Sequence, residues 1–146
     1  MYIVHVEDDP LQAGFIRTAL EKEFPGVRVE RISTELDFYR RLESLDKMPD
    51  VFIVDVMLRW TDPGIEMQPP PQEVERGGFY QAGIRCGRKI AAHETARHVP
   101  IIFYSMLERS DLEQELKGAL VNATYLSKEP NLEELIQEIR TLTVIH

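Results

Sequence analysis

The stretch "DVFIVDVML", residues 50–58, is a near-continuous apolar run broken by a single acid. A strand covered on only one face alternates apolar and polar residues. A run like this one suits a strand in a parallel sheet buried on both faces. That requirement constrains the rest of the chain, because parallel strands need crossover connections, usually helical.

The flanking sequence supplies them. "YIVHV" (2–6) is β-branched and apolar and reads as a first strand. After it, Pro10 suits a first helical position, and Leu11, Phe15, Ile16, Ala19, Leu20 and Phe24 recur at helical spacing until Pro25-Gly26 ends the helix. "VRVERIS" (27–33) reads as a more exposed strand, and "TELDFYRRLESL" (34–45) as an amphipathic helix with Leu36, Tyr39, Leu42 and Leu45 on one side. The third strand is 50–58. "FYQAGIRCGRKIAAHETARH" (79–98) has a helical pattern, "VPIIFYSM" (99–106) is a fourth buried strand, and 110–122 is a helix that Ser110 can cap with Glu113. "ATYLSK" (123–128) is a short strand. A last helix starts at Asn131, with Leu132, Leu135, Ile136, Ile139 and Leu142 as its buried stripe. Strand then helix, five times over, implies α/β architecture: a doubly wound, five-stranded parallel sheet with helices on both faces. Between the third strand and the next helix, the proline-rich stretch 59–78 lacks periodicity and reads as an extended loop insert in a single domain spanning 1–146.

Composition narrows the partners. Twenty-five acids against 17 Lys plus Arg give a net charge of −8, which argues against direct binding to nucleic acid or an anionic membrane surface. The single cysteine, Cys86, excludes an intrachain disulfide and reads as a packed side chain. No apolar run reaches membrane-spanning length and the N-terminus has no signal-peptide pattern, so the chain reads as cytoplasmic.

In open α/β sheets ligands bind beyond the carboxyl ends of the strands. Those ends carry Glu7-Asp8-Asp9, Asp55, Ser105 and Lys128. Clustered carboxylates raise one another's pKa unless a cation neutralises them. Hard oxygen donors with few protein ligands suit Mg²⁺, which also takes phosphate oxygens. A carboxylate beside Mg²⁺ can attack phosphorus, and Mg²⁺, an ammonium and a hydroxyl can stabilise the charge of the transferring group.

This constellation resembles the receiver domain of two-component response regulators over nearly the whole chain. The family's acidic pair closing the first strand corresponds to Glu7-Asp8 in "VEDDP", its phosphorylated aspartate to Asp55 in "FIVDVML", its hydroxyl to Ser105 in "PIIFYS", its lysine to Lys128 in "TYLSKEP", and its switch aromatic to Tyr125. The resemblance implies the flavodoxin-like strand order 2-1-3-4-5. It implies an Mg²⁺ ion held by Glu7, Asp8, Asp55 and the backbone carbonyl of Met57. It implies phosphoryl transfer to Asp55 from a histidine kinase or histidine phosphotransfer protein. Ser105 and Tyr125 would then switch a face built from the fourth helix (110–122), the fifth strand and the fifth helix, which meets a downstream protein partner or a second copy. The protein would not be a turnover enzyme. Three positions depart from the family: Leu58-Arg59 replaces Met-Pro and a long loop precedes the matching Gly83; Met106 stands where a small residue is usual and could restrict access to Asp55; and Glu129 separates Lys128 from Pro130. Met57 and Leu107 offer no polar group to orient water, which implies slow loss of the phosphoryl group. A phosphorylation-independent binding module is the competing reading. A Mg²⁺-dependent phosphohydrolase is disfavoured by Met57, where that class resembling haloacid dehalogenases carries a second Asp.

Other residues carry plainer readings. Asp9 reads as a helix cap and His5 as a core or edge histidine. "HETARH" fails the zinc spacing, since His93 and His98 are five apart, and reads as a polar helix end. "PPPQEVE" reads as a solvated linker rather than a polyproline docking segment. Trp60 either packs back over the site or marks a partner contact.

Overall fold

The computed structural model describes residues 1–62, 69–107, 122–129 and 131–143. Five strands, β1 (Tyr2–Val6), β2 (Arg28–Ile32), β3 (Val51–Val54), β4 (Ile101–Ser105) and β5 (Ala123–Ser127), form one all-parallel sheet in the order β2-β1-β3-β4-β5. The doubly wound sheet and its 2-1-3-4-5 order are as expected from the sequence.

Alternation along the strands divides the core into two layers. On one face Val4, Val6, Phe52, Val54 and Phe103 pack against α2 (Glu35–Ser44) and α4 (Ala82–Ala92), with Cys86 buried among them. On the other, Ile3, Ile53, Ile102 and Tyr104 meet α1 (Pro10–Glu23) and α5 (Glu133–Thr143). Burial of this kind contributes roughly 25 cal/mol per Å² of apolar surface, which is what holds helices of such short length in place.

Local signals set the helix ends. The Asp9 carboxylate accepts from the N–H of Leu11 (2.9 Å) and Gln12 (3.4 Å), opening α1. Thr34 Oγ accepts from Asp37 N–H at 3.1 Å to open α2, and Asn131 Oδ1 accepts from Glu133 N–H at 3.3 Å before α5. The turn after α1 uses Gly26 at φ 82°.

Four expectations need correction. The third strand stops at Val54: Val56 and Leu58 are fully buried in the core but outside the ladder, where Leu58 N–H bonds to Phe79 O. The expected stripe of α1 is shifted, with Ala13, Ile16 and Leu20 buried while Leu11 and Phe15 face out at 83% and 55% exposure. The helix expected over 79–98 is three pieces, a 3-10 turn at Phe79–Gln81, α4, and a second turn at Ala96–His98. It breaks where His93 Nδ1 accepts from the N–H of both Thr95 (3.1 Å) and Ala96 (3.0 Å), so "HETARH" caps a turn. Finally, the stretch 59–78 is not wholly extended: it contains a short helix, α3 (Gln72–Gly77), anchored by buried Val74. Its middle, 63–68, and the helix expected from Ser110 toward Asn122 lie outside the described residues.

Candidate functional site at the carboxyl ends of the strands

Backbone pairing carries β1 and β3 one residue past their ends. Glu7 N–H bonds to Ile32 O and Asp55 N–H to Val6 O, both at 3.0 Å. On the other side of the sheet Lys128 N–H bonds to Ser105 O at 2.8 Å. These three bonds bring the strand-end side chains to one level, beside the β1/β3 crevice where strand order reverses.

The side chains meet there. Lys128 Nζ donates to Asp55 Oδ2 at 2.8 Å and to Glu7 Oε1 at 2.5 Å, linking residues 73 and 121 positions away in sequence. All three are nearly buried, with side-chain exposures of 9% for Lys128, 8% for Asp55 and 1% for Glu7. Met57 N–H donates to Asp55 Oδ1 at 3.2 Å, so the loop after β3 folds back over the carboxylate. Ser105 is fully buried, and its Oγ accepts from Leu107 N–H at 3.3 Å. Tyr125, paired in register with Phe103, is half-buried against the core. Met106 is 68% exposed.

One ammonium against two buried carboxylates leaves an excess of negative charge. Burial first, then the Asp55 carboxylate, pushes the Glu7 carboxyl up to about 7, against the opposing pull of Lys128. Lys128 is itself shifted upward: its two carboxylates outweigh the burial that opposes its charge. His5, buried two positions before Glu7, is pushed down to about 3 by burial and by Lys128 and Arg31, and stays neutral.

Asp8 turns a different way. Its Oδ2 accepts from Arg59 N–H at 3.2 Å and lies 3.6 Å from Arg59 Nε. Arg31, at the end of β2, donates to the backbone carbonyls of Glu7 (3.0 Å) and Asp8 (3.1 Å). Sequence reasoning noted Arg59 only as a departure and missed Arg31. Neither carries a motif, and only the fold brings them to the acids. The carbonyl of Arg59 accepts from Glu35 N–H and that of Trp60 from Leu36 N–H, both at 3.0 Å, which pins the start of the loop to α2. Trp60 is half-buried, its ring edge-on to Tyr39 at 5.8 Å.

The donor set suits a hard divalent cation. Glu7, Asp8 and Asp55 offer carboxylate oxygens at neighbouring backbone positions, and Glu7, held up first by burial and then by Asp55, is a carboxylate whose charged form a cation would favour. Among the described residues no three Asp, Glu, His or Cys side chains close into a metal cage. That is compatible with Mg²⁺, which is held by one or two carboxylates and keeps several waters.

This five-stranded parallel sheet, in the order 2-1-3-4-5, is the fold found in solved response regulator receiver domains. Solved structures of that class align over nearly the full chain. The receiver domain of sensor histidine kinase PA1611 from Pseudomonas aeruginosa PAO1, which holds a magnesium ion in its active-site cleft, matches with a TM-score of 0.71 at 23% identity, covering 97% of this chain and 96% of that one. The receiver domain of a histidine kinase from Syntrophus aciditrophicus matches at 0.68 and 23% identity, over 97% and 89%. The phosphorylated cyanobacterial phytochrome response regulator RcpA matches at 0.68 and 19%, over 97% and 89%. No protein-family model and no curated protein sequence matches the chain.

Proposed function

We propose that the chain, taken as one unit over 1–146, is a phosphoacceptor receiver in which Asp55 takes a phosphoryl group from a phosphohistidine donor. The observation that carries this reading is the Lys128 ammonium held between Asp55 and Glu7 at the strand ends. The donor is a histidine kinase or a histidine phosphotransfer protein. In the transfer the donor's P–N bond breaks, its electron pair returning to the imidazole, while an O–P bond forms from Asp55. Lys128 is positioned to neutralise charge on the transferred group, and the Ser105 hydroxyl can follow it by giving up its bond to Leu107 N–H. Glu7, Asp8, Asp55 and the Met57 carbonyl would hold Mg²⁺, which when bound supplies further charge neutralisation to the phosphoryl oxygens.

The reaction is stoichiometric rather than a turnover. Its output is a population shift at Ser105 and Tyr125, read by a downstream protein or a second copy at a face that includes β5 and α5; the helix expected over 110–122 as the rest of that face lies outside the described residues. A cytoplasmic location belongs to this reading; among the described residues no helix is long and apolar enough to cross a membrane. Apolar Met57 and Leu107 favour a long-lived phosphoryl group. The test is incubation with Mg²⁺ and phosphoramidate or a phosphohistidine donor, followed by intact mass. An added phosphoryl group lost in Asp55→Asn is expected; no adduct with either donor overturns the proposal.

One observation favours a second reading, a binding module that does not switch by phosphorylation. The Arg59 guanidinium stands beside the Asp8 carboxylate, the position a cation would otherwise claim.

A further inference from the structure

A further pocket lies on the face covered by α2 and α4. Between these helices and α3 is a pocket of about 620 Å³, within the range of small-ligand sites. Arg85, Arg88 and Lys89 stand at i, i+3 and i+4 on α4, so they share one helix face, and all three line the pocket. Arg76 of α3 lines it as well.

Arg85 belongs to the pocket's floor. It is 7% exposed, and its Nε and Nη2 make a two-pronged pair with the fully buried Glu35 at 2.7 and 2.8 Å, Nη2 also donating to Gly78 O at 2.8 Å. Its Nη1 is buried and has no hydrogen-bond partner among the described residues. It sits so close beneath Gly77, another lining residue, that a Cβ there would come within 2.7 Å of it. Glu35 already neutralises Arg85. Arg76, Arg88 and Lys89 therefore face a pocket lined by a single acid, Glu73, in a chain whose net charge is −8. The three are exposed, so water screens their mutual repulsion, but the concavity they share carries an excess of positive charge that an anion would offset.

We infer that this pocket binds an organic phosphate of nucleotide size. Arginine forks match phosphate oxygens in pairs, and lysine adds a point charge. Tyr39 and Ala92 give the ligand's body an apolar wall.

The chain carries its own reporter. Trp60 is its only tryptophan, and its ring touches that of pocket-lining Tyr39. The full chain, with EDTA present, is titrated with ADP, GDP and fructose 1,6-bisphosphate, followed by calorimetry and Trp60 fluorescence. Saturable one-site binding by at least one is expected. Arg88→Glu or Arg76→Glu should weaken it at least about tenfold, the scale of one charge-assisted hydrogen-bonding group. Arg17→Glu, an equal charge change on α1 across the sheet, should leave it within about twofold at moderate salt, as should Asp55→Asn. Circular dichroism checks the fold of each variant, and Arg88→Gln replaces Arg88→Glu if the latter is unfolded. Failure of all three ligands to saturate overturns the inference. So does equal weakening by Arg17→Glu, or inorganic pyrophosphate binding as tightly as the best organic phosphate.

Discussion

Gly83, the first-turn residue of α4, lies directly against Asp55: a Cβ on Gly83 would sit 2.1 Å from the Asp55 carbonyl oxygen and 2.6 Å from Val56 Cα. The contact is sealed by a 2.8 Å bond from Gly83 N–H to Val56 O. Whatever path the chain takes between β3 and α4, it must return to this point. Gly83→Ala forces backbone apart from backbone, so a loss of about 2–4 kcal/mol in urea unfolding is expected, above the usual cost of overpacking. A loss below about 0.5 kcal/mol would show that the approach is relaxed in solution.

Lys128 is the counter-ion of two buried carboxylates. In chelated protein, Lys128→Met should cost about 3–5 kcal/mol at pH 8, as expected when one partner of a buried pair is removed. The cost should shrink toward pH 5 as Glu7 takes up a proton. Urea titrations at the two pH values measure it, and an equal loss at both would contradict the assignment.

Glu7 itself titrates in the neutral range. Its carboxyl releases its proton near 4.5 when unfolded and near 7 when folded. Between those values the folded state holds more protons, so the stabilisation is complete below pH 4.5 and is lost as pH rises through 7. Relative to Glu7→Gln, the chelated wild-type protein should lose on the order of 2–3 kcal/mol between pH 4.5 and 7.5. Parallel stability–pH curves for the two proteins would exclude this.

In the proposed Mg²⁺ site, Arg59 competes for Asp8. The pair is half-exposed, worth about 0.5–1 kcal/mol, so Arg59→Ala should tighten Mg²⁺ binding roughly two- to fivefold. Calorimetry reads the change directly, and weaker binding in the variant would show that Arg59 supports the site.

The buried Arg85–Glu35 pair ties α4 to α2. Arg85→Leu should destabilise by about 3–5 kcal/mol by stranding Glu35, and Arg85→Leu with Glu35→Leu should recover much of that loss. Chemical denaturation of the wild type, Arg85→Leu, Glu35→Leu and the double variant tests the cycle. No recovery would mean that the ion pair gives way to a cavity.

The sheet was legible because its signals are local. "YIVHV", "VFIV" and "PIIFYS" are apolar as doubly covered strands are, and caps at Asp9 and Asn131 punctuate the helices through bonds two or three residues long. The strand-end positions of Glu7, Asp8, Asp55, Ser105 and Lys128 followed from the same reading. The sequence could not say which of these side chains touch. That Lys128 chooses Asp55 and Glu7 while Asp8 faces Arg59 depends on strand order, on where β3 stops, and on a loop held to α2 by the carbonyls of Arg59 and Trp60. The helix α3 inside a proline-rich stretch, and the outward turn of Leu11 and Phe15, were equally hidden. Periodicity and capping are short-range effects that a sequence displays residue by residue. The pairing of charges across 73 or 121 positions is set by burial, which exists only once the sheet has formed.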